Sequence, residues 1–525
     1  MRHQRRVSGR PRARLAIVSV LFLSALIGLP APPGAAAPVA PTDPAGPVGH
    51  EGRWLTDADG RVLLPHGVNL VAKEPGETPE DMGFGEDDAA WLAANGFEVV
   101  RLGTTAASIM PTPGVVDTDY VDSFVRTVDV LTDHGLQVLV DLHQDGWGPT
   151  LGSDGFPEWM TLTHGAENTG TPFPLYYVTN PAIQVAFDSF WANEAGPDGI
   201  PIQDHVGTMF EALAQALDGR EGVLGYDLIN EPWPGTVWDV CVNDPAGCPT
   251  QDRALDAYAA RMTTAIRRHD PDRLIFGEPY VLFNFGQSAT NVGLPGGDPK
   301  SGLSYHLYAL DEAAERQVQQ FALQWSERTG GALLNTEFGA TNDPAAIDRQ
   351  VNELDRTLMP WIWWAYNENV VRDLDEAPVE ANLRGEVVDT LVRPHASAVA
   401  GTPVSSSYTL ADRVLRFTHS TGRAGGGTFA PGTETSFETA PRTYPKGYKV
   451  KVTGGRVTSA ADAAELTVVA DGGAAQVTVK LWPADQAEPP DPTVPTTSTT
   501  TTSTTAPTRP APAATPIKGR ASFTG

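Results

Sequence analysis

Hydrophobic and polar positions follow two alternating rhythms from Trp54 onward. Short apolar runs read as buried strands, and longer stretches with apolar residues at i, i+3, i+4 and i+7 read as amphipathic helices. The helical pattern is clearest over 120–134. There Val121, Phe124, Val125, Val128 and Leu131 share one face, and Gly135 closes the segment as a C′ glycine. Further helices are expected over 87–95, 205–217, 252–269, 312–329 and 345–358. Strands are expected over 62–70, 97–102, 137–142, 225–229, 274–277, 301–308, 333–337 and 361–366. Eight strands alternating with helices predict an α/β fold, a (β/α)8 TIM barrel over 51–400. The stretch 146–202 breaks the rhythm. It is rich in Gly, Pro and aromatic residues, and a connection that long usually carries function.

Beyond about residue 400 the pattern becomes short alternating strands separated by Gly and Pro, over 414–419, 437–439, 448–453, 464–469 and 475–481. This predicts a C-terminal β-sandwich domain over 401–485. Residues 486–525 are Pro-, Thr- and Ser-rich and have too little apolar surface for a core, so a disordered tail is expected. At the other end, Arg2, Arg5, Arg6, Arg10, Arg12 and Arg14 precede an apolar run over 15–29 and small residues at 34–37. This reads as a signal peptide, 1–37, with a flexible lead-in over 38–50; an uncleaved anchor is the alternative. The expected location is outside the cell, with cell-wall association left open.

Composition narrows the function. The 525 residues suit two folded domains plus tails, and a net charge of −27 argues against nucleic acid as a partner. The two cysteines, Cys241 and Cys248, do not have zinc-site spacing; in an exported chain a disulfide is expected, two free thiols being the alternative.

The chemistry lies at the strand ends. Asn69, Arg101, His143, Glu231, Glu278, His306, Glu337 and Trp364 all fall there, and in a barrel those ends converge on one face. Glu231 and Glu337, far apart in sequence, suggest a glycosidase pair: Glu231 protonates the leaving oxygen and Glu337 attacks the anomeric carbon. Asn230 is placed to donate to a sugar hydroxyl. Tyr308 and Arg101 are placed to hold Glu337 ionised. Trp364 offers a flat face for a pyranose, with Trp363 its competitor and core packing the alternative. His143 and Asp145 are placed to bind sugar hydroxyls. A metal site at His143 and His306 is disfavoured, because neither lies in a ligand-spaced motif. No metal and no cofactor are expected.

Asn230-Glu231-Pro232 and Glu337-Phe338-Gly339 on such a barrel resemble glycoside hydrolase family 5. Val140-Asp141-Leu142-His143-Gln144-Asp145, the run from Gly225 to Trp233, and Trp363-Trp364-Ala365-Tyr366-Asn367-Glu368 resemble its endoglycoceramidases. The resemblance covers roughly 54–482. It implies hydrolysis between the oligosaccharide and the ceramide of a glycosphingolipid, with Glu231 as acid/base and Glu337 as nucleophile. It places His143, Asp145, Asn230, Tyr308 and Trp364 on the first sugar, with Arg101 and His306 in the same set and Lys73 reaching over that sugar. It also implies that the aromatic residues of 146–191 form an apolar path for lipid tails. The chain is then expected to be a monomer that meets a membrane or micelle surface transiently. A β-1,4-glucanase on the same barrel, or an inactive carbohydrate- or lipid-binding wall protein, remain as rival readings.

Overall fold

The computed structural model describes residues 46–243 and 247–491. The expected signal peptide, residues 38–45 of the lead-in and the tail from residue 492 lie outside the described residues. Three short strands come first: β1 (Gly49–Glu51), β2 (Trp54–Thr56) and β3 (Val62–Leu63). Eight strands then alternate with helices: β4 (His66–Val71), β5 (Val99–Thr105), β6 (Gln137–His143), β7 (Val223–Asp227), β8 (Leu274–Gly277), β9 (Ser301–Leu307), β10 (Ala332–Phe338) and β11 (Trp361–Trp363). These eight pair side by side, all parallel, and β11 pairs with β4 to close the barrel. Their C-terminal ends therefore open on one face.

The barrel interior changes character along the strands. Val99, Leu139, Leu224, Leu274, Phe276 and Leu334 form its apolar floor, joined from below by Leu55, Leu63 and Ala398. Further along, the strands turn buried polar groups inward: Asn69, Arg101, Asp141, Asp227, Ser304 and Thr336. A layer of this kind survives burial only when its groups satisfy one another.

Eight more strands follow: β12 (His395–Val399), β13 (Thr402–Thr409), β14 (Val414–Ser420), β15 (Glu434–Glu438), β16 (Tyr448–Thr453), β17 (Gly455–Val457), β18 (Glu465–Ala470) and β19 (Gln476–Pro483). They build two antiparallel sheets, β1-β2-β3-β12-β15-β18-β17 and β13-β14-β19-β16. Phe417, Phe437, Leu466, Val468, Val479 and Leu481 fill the core between them. The first sheet draws strands from both ends of the chain, with Val62 opposite Val399. The expected single strand over 62–70 is therefore corrected to two. Pro65, which lacks an N–H for a ladder, separates β3 in the sandwich from β4 in the barrel.

The stretch 146–202 also differs from expectation. It carries an unforeseen helix, Pro181–Trp191, started by the Asn180 side chain accepting from the Ala182 N–H and by proline at N1. Its aromatic residues mostly do not line a path. Trp147, Phe156, Phe187 and Phe190 pack on one another and are buried, whereas Phe173 and Leu175 are exposed. No helix among the described residues is long and apolar enough to cross a membrane.

Candidate active site

Glu231 and Glu337 meet in a buried basin at the C-terminal face. Glu337 lies near the end of β10, 4 % exposed. Gly339, two residues on, is packed so closely under the Trp363 ring that no Cβ would fit. Glu231 stands four residues past β7 in a left-handed backbone conformation, φ +41°, and is 6 % exposed. An oxygen of each carboxylate and a ring nitrogen of His306 lie within 4.8 Å of one another. Glu231 Oε1 accepts from Asn284 Nδ2 at 3.1 Å and lies 2.8 Å from His306 Nδ1. Glu337 Oε2 accepts from the Tyr308 hydroxyl at 2.9 Å, and its Oε1 accepts from Arg101 at 2.7 Å.

Arg101 projects from β5 into the middle of this network, fully buried. Besides Glu337 it donates to Asp141, Asp227, Glu278, Asn69 and Asn230, at 2.9–3.2 Å. Burial disfavours its charge, but the four carboxylates outweigh that and hold its pKa well above the ordinary value. Burial pushes Glu337 up from the usual carboxylate range, with His306 and Arg101 opposing it. Burial likewise works against a charged His306. The Glu278 and Glu337 charges prevail, and its pKa stands well above the ordinary histidine value. Burial and the neighbouring Glu337 charge raise Tyr308, so its hydroxyl stays a donor.

A second group lines the rim. His143, at the end of β6, places Nδ1 2.8 Å from Asp141 and stacks against Trp364 with ring centroids 5.3 Å apart. Burial lowers its pKa, but Asp141 and Asp145 carry it to about 10. Lys73 reaches over from the loop after β4. Its ammonium donates to Asp145 at 2.6 Å, lies 3.9 Å from Asp154 and sits 4.7 Å from the Trp364 ring centroid. Burial pushes Asp145 up, yet Lys73 and His143 hold it below the usual carboxylate range. Trp364 is only 7 % exposed, so the ring is less open than a free sugar platform.

The strand-end residues singled out from the sequence are thus in this basin, whereas Trp363, the competitor of Trp364, is buried against Phe338 on the outer side of β11 and the two cysteines lie elsewhere. Cys241 and Cys248 are bridged, Cα atoms 4.6 Å apart, in the connection after β7. Sequence reasoning missed Asn284 and Gln144. Asn284 sits in a short 3-10 turn, Val281–Phe285, with no strand-end signal. Gln144 lies between His143 and Asp145, and it donates to the Asn230 and Glu231 carbonyls at 2.7 and 3.0 Å. Two clusters have metal-like spacing, His143-Asp145-Asp154 and Glu231-His306-Glu337. In the first the Lys73 ammonium takes the cation's place. In the second, Glu231 and Glu337 already accept hydrogen bonds from Asn284, Arg101 and Tyr308. Two buried carboxylates this close can divide proton transfer and nucleophilic attack between them.

Comparison with known proteins agrees with this layout. Residues 84–370 match the model of Cellulase (glycosyl hydrolase family 5), and residues 393–481 match the glycoside hydrolase family 5 C-terminal domain. Endoglycoceramidase I of Rhodococcus hoagii (strain 103S) is 34 % identical over 456 residues, spanning 82 % of this chain and 87 % of that protein. The solved ganglioside GM3 complex of endo-glycoceramidase II from Rhodococcus sp. superposes with a TM-score of 0.67 at 25 % identity, covering 82 % of this chain and 99 % of that one. The lactosyl-enzyme intermediate of the same Rhodococcus enzyme superposes at 0.64, with 25 % identity and 82 % and 100 % coverage. With a family model matching seven of the eight barrel strands and a relative one-third identical along most of its length, the chain belongs to glycoside hydrolase family 5, as an endoglycoceramidase-like glycoside hydrolase.

Proposed function

We propose that the protein is a secreted retaining hydrolase that cleaves the β-glycosidic bond between the oligosaccharide and ceramide of a glycosphingolipid. Glu337 Oε attacks the anomeric carbon while Glu231 gives its proton to the glycosidic oxygen, so ceramide leaves as the alcohol. Water then adds to the glycosyl-enzyme, giving its proton to Glu231 and releasing Glu337. The observation that carries this reading is the approach of the two carboxylates to within 4.8 Å. Retaining pairs stand roughly 5 Å apart, whereas inverting pairs leave roughly 6.5–9.5 Å for a water. Arg101 and Tyr308 keep the nucleophile charged. Asn230, His143, Asp145, Lys73 and Trp364 bound the space for the first sugar.

The exposed apolar side chains favour lipid over glucan. Nine large ones are exposed among the described residues, and eight lie in connections leaving the C-terminal ends of the barrel strands, including Phe173, Leu175, Val237, Val240 and Leu310. Apolar side chains on the connections of the same face that opens the polar basin suit a substrate with a sugar head and a lipid tail, presented at a membrane or micelle surface. Export rests on the basic and apolar N-terminal segments together with the disulfide.

The test is incubation with a panel of glycosphingolipids and cello-oligosaccharides, with products identified by mass spectrometry and the first-formed anomer by NMR. Intact oligosaccharide, ceramide and an initial β-anomer are expected. Cleavage of cello-oligosaccharides alone would move the assignment to a β-glucanase, and an initial α-anomer would remove the covalent mechanism.

A further inference from the structure

Glu278 follows directly on β8, is 1 % exposed and takes no part in either proton transfer above. We infer that Glu278 is a positioning residue for Glu231, clamping the backbone and the imidazole that together aim its carboxyl group. The inference rests on the reading of Glu231 as the acid.

Two routes lead from one carboxylate to the other. The first is direct: Glu278 Oε2 accepts the Glu231 N–H at 2.9 Å. A left-handed backbone is disfavoured for any residue with a side chain, and it persists only where the surroundings hold it. At Glu231 both backbone groups are held by side chains, the N–H by Glu278 and the carbonyl by Gln144 Nε2 at 3.0 Å. The second route passes through His306. Glu278 Oε1 lies 3.1 Å from His306 Nε2, while Nδ1 of the same ring faces Glu231 Oε1 at 2.8 Å. The Nε2 contact lacks hydrogen-bond geometry, so Glu278 acts on the ring through its charge, while the contact at Nδ1 keeps the ring turned toward Glu231. Asn284 completes the cradle. Its Nδ2 donates to Glu231 Oε1, and its Oδ1 accepts the His306 N–H at 3.0 Å.

A rival role exists on the same side chain. Glu278 Oε1 also accepts from Arg101 at 2.9 Å, and Arg101 holds Glu337. A residue acting by that path supports the nucleophile, which every substrate needs. A residue acting through Glu231 matters only where the leaving group needs a proton. Substrate chemistry separates the two.

In the full chain, Glu278→Gln and Glu231→Gln are each assayed on a glycosphingolipid and on 2,4-dinitrophenyl β-lactoside, whose phenolate leaves without protonation. For Glu278→Gln we expect kcat/KM on the glycolipid to fall by about 10²-fold and on the aryl lactoside by less than about fivefold. The ratio of the two rates in one preparation does not depend on the fraction folded. Should the glutamine variant not fold, Glu278→Asp, which keeps the charge but withdraws it by one methylene, is read in the same way. Equal losses on both substrates for the Glu278 variant, with unequal losses for Glu231→Gln, overturn the clamp alone. Equal losses for Glu231→Gln overturn the acid assignment and the clamp with it.

Discussion

At the scale of single residues, the site is an exercise in balancing buried charge. Arg101 is fully enclosed, and an unpaired ion there would be costly; four carboxylates and two asparagines answer it. Against that background Glu337→Gln should abolish turnover on both glycolipid and aryl lactoside. Glu231→Gln should cost about 10²–10⁴-fold on glycolipid. Both should leave circular dichroism unchanged, and a folded, active Glu337→Gln protein would end the nucleophile assignment. A second prediction concerns His143. Its folded pKa, about 10, lies above the ordinary 6.5 because Asp141 and Asp145 outweigh burial. The stability it contributes is complete below pH 6.5 and is lost as pH climbs through its folded value. The melting temperature of the parent should therefore exceed that of His143→Asn most at pH 6, and the gap should narrow toward pH 10. A gap constant over that range would show that His143 is not charged in the folded protein.

At the scale of elements, two short segments do more than their composition implies. The first is the connection after β7, where Cys241, in the helix Trp238–Asn243, is tied to Cys248 just before the helix Pro249–Ile266. Intact mass should rise by two hydrogens on reduction, and alkylation of both thiols without reductant would refute the bridge. The second is 486–491, expected to be tail. The β14, β19 and β16 register sets Arg416, Lys480 and Lys451 directly opposite one another on one sheet face. Like charges so placed repel. The segment crosses this row. Glu488 pairs with Lys451 and Lys480, Asp491 pairs with Lys480, and the Pro490 carbonyl accepts from Arg416. A chain ended after Asp491 should melt like the full one. A chain ended after Asp485 should melt measurably lower, because the row of like charges is left facing itself. Equal melting temperatures would make the strap decorative.

At the scale of the molecule, barrel and sandwich are interlocked rather than joined in series. The described chain begins in the sandwich sheet, builds the barrel and returns, so Leu55, Leu63 and Ala398 close the barrel floor from below. Unfolding followed by tryptophan fluorescence, which reports the barrel's Trp147, Trp361 and Trp363, should coincide with unfolding followed by far-ultraviolet dichroism. A chain truncated before β12 should be insoluble, because it exposes that floor. Two separated transitions, or a soluble barrel, would contradict the interlock.

Periodicity alone determined the eight strands and the helices between them, because a strand buried on both faces must be continuously apolar and a covering helix must carry one apolar stripe. It also placed Arg101, His143, Glu231, His306, Glu337 and Trp364 on one face, since parallel strands in a barrel share a direction. What it could not determine were features built from contacts between residues far apart in the chain. Asn284 carries no local pattern, and it meets Glu231 only because an irregular turn lies beside the β7 connection. The role of Glu278 is set by three partners from three other elements. The aromatic composition of 146–191 suits a lipid path as well as a core, but most of these side chains bury themselves in one another, and composition does not say which neighbour wins. Pairing β3 with β12 joins residues more than three hundred positions apart. Only the closed tertiary structure decides such a choice, because its reward, a covered barrel floor, does not exist until both domains are folded.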